Sequence, residues 1–362
     1  MMRVLWKVSR LDLTWPSVRV RAMTPALLLR KKGFDVAVTA QRPAENELRN
    51  RDVVVISKSF SDDDLWLAAR TRQLGKKLVV DLCDDVFGED RDAANAAAFG
   101  GQAAQADIVT TTGEVLRDII ARQIGGSDRI VIVPDHAETL PLTRELVAAF
   151  PPNGKGRTRV FGAGPLRKAW RQLIGRERAL TPGRKTVVWF GMAGLTGQGT
   201  GVDALAAIAP QLNAVNNEIP LQLLIVTTAH RRTSRAAAAF DFPWSFRDWS
   251  LLSVHEHVAS ADVCVIPNPQ TSYASAKSPN RALLSLSAGT PVVATSSPAY
   301  ASLNGAIMVD DWQGGLRRYL TDPAAVAADF ATASRIIERE FSAASIRDRW
   351  ARVLDQATAT AP

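Results

Sequence analysis

Residues 272–295 read SYASAKSPNRALLSLSAGTPVVAT. The apolar segment ALLSLSA is followed by Gly289-Thr290-Pro291 and then by Val-Val-Ala-Thr. That pattern is a helix, a glycine-marked turn and a short buried strand. Pro279 suits a first helical turn, which makes Ser278 the expected N-cap. Lys277 and Arg281 then flank that turn, with Asn280 between them, although a helix N-terminus favours acids. Free amides at such a turn form an anion site, and an added ammonium and guanidinium make it a pocket for phosphate oxygens. The plainer alternative is a solvated pair of bases beside a surface turn.

The same helix–strand alternation extends outward in both directions. On the near side lie KTVVWFG (185–191), the helix GVDALAAIAPQLNAV (201–215), LQLLIVT (221–227) and ADVCVIP (261–267). In the first half, MRVLWKV (2–8), DVAVTA (35–40), DVVVISKS (52–59), KKLVVDLCDD (76–85), ADIVTTT (106–112) and RIVIVPD (129–135) read as strands. The intervening helices close at Gly33, Gly75 and Gly125. Continuous Val/Ile runs separated by helices indicate parallel sheets covered on both faces. The expected fold class is α/β, with two doubly wound domains facing a cleft. Residues 1–135 form the first, 136–186 a basic linker or insert, 187–340 the second, and 341–362 a C-terminal helix and tail. Ligands of such sheets bind beyond the carboxyl ends of the strands, so the chemistry belongs on loops that follow strands.

Composition narrows the function classes. Residues 151–186 hold ten Lys or Arg against one acid, Glu177, so this segment carries +9 of a chain total of +8 and the remainder sums to −1. The body is near neutral with one basic insert. Within it, residues 164–180 place Leu166, Trp170, Leu173 and Leu180 near one helical face, with Arg167, Lys168 and Arg171 mostly elsewhere. Such a helix suits an anionic membrane surface, or else a linker packed on the body. No aromatic–basic module points to nucleic acid. No apolar run reaches the length of a membrane span, and MMRVLWKVSRLDL does not read as a signal peptide. The expected location is cytoplasmic, with a peripheral membrane contact through the insert. Two distant cysteines, Cys83 and Cys264, argue against disulfides and cysteine-based zinc sites.

Further candidates follow other strands. WFGMAGLTGQGTG brings Gly191, Gly194 and Gly197 to a loop where backbone can approach a phosphate or sugar. No Gly-Lys-Ser/Thr follows, which removes a P-loop NTPase. Asp84 and Asp85 end the KKLVV strand, where a carboxylate can take the proton of an attacking hydroxyl, or can merely cap a helix. Asp81 reads as structural. Arg19, Arg21 and Lys58 follow the N-terminal strands and are placed to bind an anionic acceptor or a leaving phosphate, with solvated surface bases as the alternative. His136 is a lone histidine of the structural kind. Trp244 and Trp249 suit core packing, or stacking of a base.

KSPNRALLSLSAGTPVVATSSPAY (277–300) resembles the donor-binding region of retaining GT-B glycosyltransferases of the broad family 4 group. WFGMAGLTGQGTGVDAL and ASADVCVIPN resemble the glycine loop and the pre-donor segment of the same enzymes. The resemblance implies two Rossmann-like domains, a nucleotide-sugar donor at Gly191, Gly194, Gly197, Lys277, Ser278, Asn280 and Arg281, and no metal or other cofactor. It also implies a saccharide or lipid-linked saccharide acceptor, as in surface polysaccharide assembly. The group carries two glutamates eight positions apart, and this chain has Ala276 and Leu284 there. That departure keeps open a nucleoside monophosphate donor, a nucleotide-sugar epimerase of the same fold, and a non-catalytic nucleotide- or sugar-binding protein.

Overall fold

The computed structural model describes residues 1–88, 92–152, 156–162, 179–194 and 200–359. Strands β1 (Arg3–Val8), β2 (Asp35–Thr39), β3 (Val53–Ser57), β4 (Lys77–Leu82), β5 (Ile108–Thr111) and β6 (Ile130–Ile132) form one parallel sheet, ordered β2-β1-β3-β4-β5-β6. A second parallel sheet, ordered β12-β11-β10-β7-β8-β9, contains β7 (Lys185–Phe190), β8 (Leu221–Thr227), β9 (Trp244–Asp248), β10 (Val263–Ile266), β11 (Val292–Ala294) and β12 (Met308–Val309). Two doubly wound Rossmann-like domains result, as the sequence leads one to expect. Strands β9 and β12 are additions to that reading, and both are edge strands.

Burial on two faces explains the apolar runs. Val4, Trp6, Val8, Val53, Val55 and Val79 enter one core cluster, while their neighbours Leu5, Val54, Ile56, Leu78 and Val80 enter another across the sheet. In the second sheet Val188, Leu224, Val226 and Ile266 face one core, and Val187, Leu223, Ile225 and Val265 the other. A side-chain period of two on a fully covered sheet makes the strands mostly apolar, and the charged exceptions Lys7 and Asp81 are buried in ion pairs.

Two helices depart from the sequence reading. The opening helix starts at Pro16 and runs through a π-helical segment, Arg19–Met23, before continuing as Thr24–Lys31. Pro25 has no amide to give and crowds the carbonyl four residues back, and the wider turn, with Thr24 N–H donating to Arg19 O, accommodates it. The last helix, Ala343–Ala359, packs on the first sheet rather than standing apart. Its Ile346, Trp350, Ala351, Val353, Leu354 and Ala357 belong to the same core as Trp6. The rings of Trp6 and Trp350 meet edge to face, 4.7 Å between centroids. Among the described residues, no helix is long and apolar enough to cross a membrane. Most of the basic stretch 164–180 lies outside the described residues.

Candidate functional site: the facing strand ends

The chain order of each sheet reverses between β1 and β3 and between β7 and β10, and ligand crevices open at such switch points. Lys58 follows β3, Asp84 and Asp85 follow β4, and Asp135 follows β6. Gly191 follows β7, and Asn268 with the loop 271–281 follows β10. The two sets meet. The Asp84 carboxylate sits between Lys58 Nζ of the first domain and Lys277 Nζ of the second. Asp135 Oδ2 accepts from Ser278 Oγ at 2.6 Å and from Asn280 Nδ2 at 2.7 Å. Ala276 is buried in a core cluster of the first domain. The carboxyl edges of the two sheets therefore face each other. Lys58 itself has φ 43°, a left-handed backbone that a non-glycine residue adopts at a strain cost.

On the second-domain side, Lys277 lies between two helices, Ser272–Ser275 and Asn280–Ser287. Its Nζ donates to Tyr273 Oη at 2.7 Å and sits 4.2 Å from the centre of that ring. The expected cap does not form as written: Pro279 is the N-cap and Ser278 is occupied as a donor to Asp135. The Ser278 hydroxyl is drawn to a carboxylate of the other domain, 143 residues away in the chain, by a bond to a charged acceptor. Arg281 Nη2 donates to Asn268 Oδ1, whose Nδ2 in turn reaches Tyr300 Oη at 3.3 Å. Arg281 also lies against the glycine loop, since a Cβ at Gly191 would stand 3.7 Å from its Nη1. Gly194 has φ 78°, and a Cβ there would fall 2.5 Å from Thr200 Oγ1, so no other residue fits. Gly197 lies outside the described residues.

On the first-domain side, Arg19 and Arg21 are not at the cleft surface. Both are buried inside the first domain. Arg19 pairs with Glu138 through Nε at 2.5 Å and Nη2 at 3.0 Å, and its Nη1 donates to Leu13 O. Arg21 pairs with Asp81 and Asp135 and donates to Val133 O. Their donors are committed, so neither serves as an acceptor-binding cation. A guanidinium drawn inside a sheet's end must find carboxylates, and three lie within reach. Lys58, by contrast, lines a cavity at the domain junction together with Asp84, Asp85, Asp92, Asn95 and Tyr273. Asp85 Oδ1 accepts the Phe87 amide at 2.8 Å.

Burial alone would raise the Glu138 carboxyl, yet the Arg19 charge and hydrogen bonds outweigh it and hold it down to about 2. Burial lowers His136 and His255 against the pull of nearby carboxylates, and His136 Nδ1 has no partner. All three groups bind fewer protons folded than unfolded, so acid destabilises the protein. Stability is expected to hold above about pH 6.5, to decline below it as the histidines charge, and to fall further as Glu138 protonates between about 4.5 and about 2. Urea midpoints at pH 7.5, 5.5 and 4 measure this, and a midpoint that rises with acid contradicts it.

Residues 184–336 match the family described as Glycosyl transferases group 1. That stretch of the second domain is therefore similar to a group 1 glycosyltransferase domain. The whole chain has the GT-B fold. HepE from Anabaena, solved with UDP and glucose, superposes with a TM-score of 0.64 at 14% identity, over 98% of this chain and 100% of that one. An alpha,alpha-trehalose-phosphate synthase (UDP-forming) from Burkholderia vietnamiensis gives 0.64 at 13% identity over 100% of both chains. A UDP-GlcNAc 2-epimerase from Methanocaldococcus jannaschii gives 0.52 at 9% identity, over 98% of this chain and 99% of that one. No curated protein matches significantly.

Three polar residues at the strand ends escaped the sequence reading. Asp135 joins Arg21 to Ser278 and Asn280, and Asn268 holds Arg281. Arg232, on the helix His230–Ala237 after β8, donates to Gly194 O and pairs with Asp203 at 2.9 Å. Arg232 had a signal: HRRTSR opens a helix with bases and no acid, as the Lys277 stretch does. Ala276 and Leu284, at the positions where the resemblance leads one to expect glutamates, are both buried and apolar. Trp244 opens β9, and Trp249 packs against a core cluster of each domain. Among the described residues, no group of His, Cys, Asp or Glu is arranged to hold a metal ion.

Proposed function

We propose that this protein is a glycosyltransferase that moves a sugar from a uridine diphosphate donor, bound by the second domain, to a saccharide or lipid-linked saccharide held by the first. The facing of the two strand-end sets carries the reading, because it puts Arg281 beside the Gly191 turn and Lys277, four residues before it, against Asp84 of the first domain. The HepE and trehalose-phosphate synthase structures, whose names carry UDP, support the choice of nucleotide. Ser278 and Asn280 would line the donor side together with Gly191 and Gly194, and Lys58 the acceptor side.

In the proposed reaction the acceptor hydroxyl gives its proton to Asp85 as its oxygen bonds the anomeric carbon. The bond from that carbon to the phosphate oxygen breaks, and its electron pair leaves with the diphosphate. Fixed cations stabilise the departing charge without reorganising, so the proposed chemistry calls for no metal. Asp84 is less available as a base while two ammonium groups hold it. Retention, which the resemblance implies, would require the hydroxyl to attack from the same face that the diphosphate leaves. A role in surface polysaccharide assembly, in the cytoplasm or against a membrane through residues 164–180, is part of the same proposal.

Changing Asp85 to Asn is expected to lower turnover about 100-fold or more while UDP affinity stays within about twofold. Near wild-type turnover would place the base elsewhere. A thermal-shift series with UDP, GDP, dTDP, ADP and CMP, on wild type and Arg281→Ala, tests the donor assignment. UDP alone raising the wild-type melting temperature supports it. A shift with CMP alone would move the donor to a monophosphate. UDP binding without transfer to any acceptor would favour a non-catalytic binding protein.

A further inference from the structure

The cavity at the domain junction has a composition that fits one class of ligand. It encloses about 150 Å³ beyond the ends of β3 and β4. A cavity of that size holds a single six-membered ring. Phe60, Val86 and the ring of Tyr273 form apolar walls, and Asp85, Asp92 and Asn95 supply polar groups among them. A pyranose makes the matching demand: C–H faces that need apolar contact, and a rim of hydroxyls that need acceptors.

Charge narrows the class further. Lys58 also lines the cavity, but its ammonium is paired with Asp84. Among the described residues that line the space, the three carboxylates Asp84, Asp85 and Asp92 outnumber the one cation, Lys58, so a ligand carboxylate or phosphate would meet net like charge at close range. Arg19 and Arg21, which would have suited an anionic acceptor, are buried in ion pairs. Tyr273 belongs to the cavity wall and also accepts from Lys277, so the ring space adjoins the cationic side of the cleft.

We infer that this cavity is a sugar subsite that takes one uncharged pyranose ring, the terminal residue of the acceptor, with Tyr273 and Asn95 among its contacts. The inference rests on the proposed function for the word acceptor, while the subsite itself stands on its lining. It excludes uronic acids and phosphorylated sugars from this position.

Saturation-transfer NMR on the wild-type protein would use methyl glucoside, methyl galactoside, methyl N-acetylglucosaminide and methyl glucuronide at millimolar concentration. At least one uncharged glycoside is expected to bind, with the glucuronide about tenfold weaker or more. Asn95→Trp fills the space and should abolish the signal. Asn95→Ala, a milder change, should weaken it several-fold. UDP thermal shifts on the same samples serve as the control for folding and for the donor site. Glucuronide binding as tight as the best neutral glycoside overturns the inference. So does glycoside binding that survives both variants, or wild type that binds no glycoside. Wild type that binds a neutral glycoside but no nucleotide would sink the donor reading and leave the subsite standing.

Discussion

Replacing Arg281 with alanine is expected to weaken UDP binding about 10- to 100-fold, the loss of a charge-assisted hydrogen bond worth about 1.5–3 kcal/mol. The helix Asn280–Ser287 has no acid in its first turn, so its free amides already favour an anion. Arg281 stands beside them, fixed by Asn268 and laid against the Gly191 turn, so little side-chain freedom is lost when phosphate arrives. Arg281→Lys should recover part of the affinity, because an ammonium keeps the charge but not the planar fork. Titration calorimetry with UDP measures both. Unchanged affinity in the alanine variant would remove the phosphate site from this turn.

The second large effect concerns stability. Arg21→Ala is expected to cost about 3–5 kcal/mol, because it leaves buried carboxylates without their cation. Arg21 Nη2 reaches Asp81 Oδ1 at 2.6 Å and Nε reaches Oδ2 at 3.3 Å. Nη1 reaches Val133 O at 2.6 Å and Asp135 Oδ1 at 3.0 Å. Arg21→Lys should rescue little, since three donors on one point cannot serve acceptors spread around a plane. The damage should also travel, because Asp135 holds Ser278 and Asn280 of the other domain. Guanidinium unfolding of the variant measures the first effect, and UDP affinity in the surviving folded fraction the second. A midpoint equal to wild type would show that Arg21 is not needed to compensate Asp81 and Asp135.

The parallel core strands were legible because each is covered on both faces, and such strands become unbroken apolar runs. Strands β9 and β12 were not. Each lies at an edge of the second sheet, where one side is open, and WSFRD and MV carry no run of the kind that marks a central strand. The site divides in the same way. Lys277, Arg281 and the glycines could be read from their neighbours, since a helix start and a glycine turn are local patterns. The fate of Arg19 and Arg21 could not, since it depends on Glu138, Asp81 and Asp135, between 60 and 119 residues away. A base after a strand looks the same in sequence whether it meets solvent or a buried acid.

The return of Ala343–Ala359 to the first sheet bears on how the protein is made. Trp6 leaves the ribosome near the start of synthesis, but Trp350, which covers it, emerges only after the entire second domain. Domains that fold as they emerge usually complete the N-terminal one first. Here that order is blocked. The first domain must wait with the part of its core around Trp6 uncovered while the second forms, and a chain stopped before residue 343 would keep that apolar part exposed.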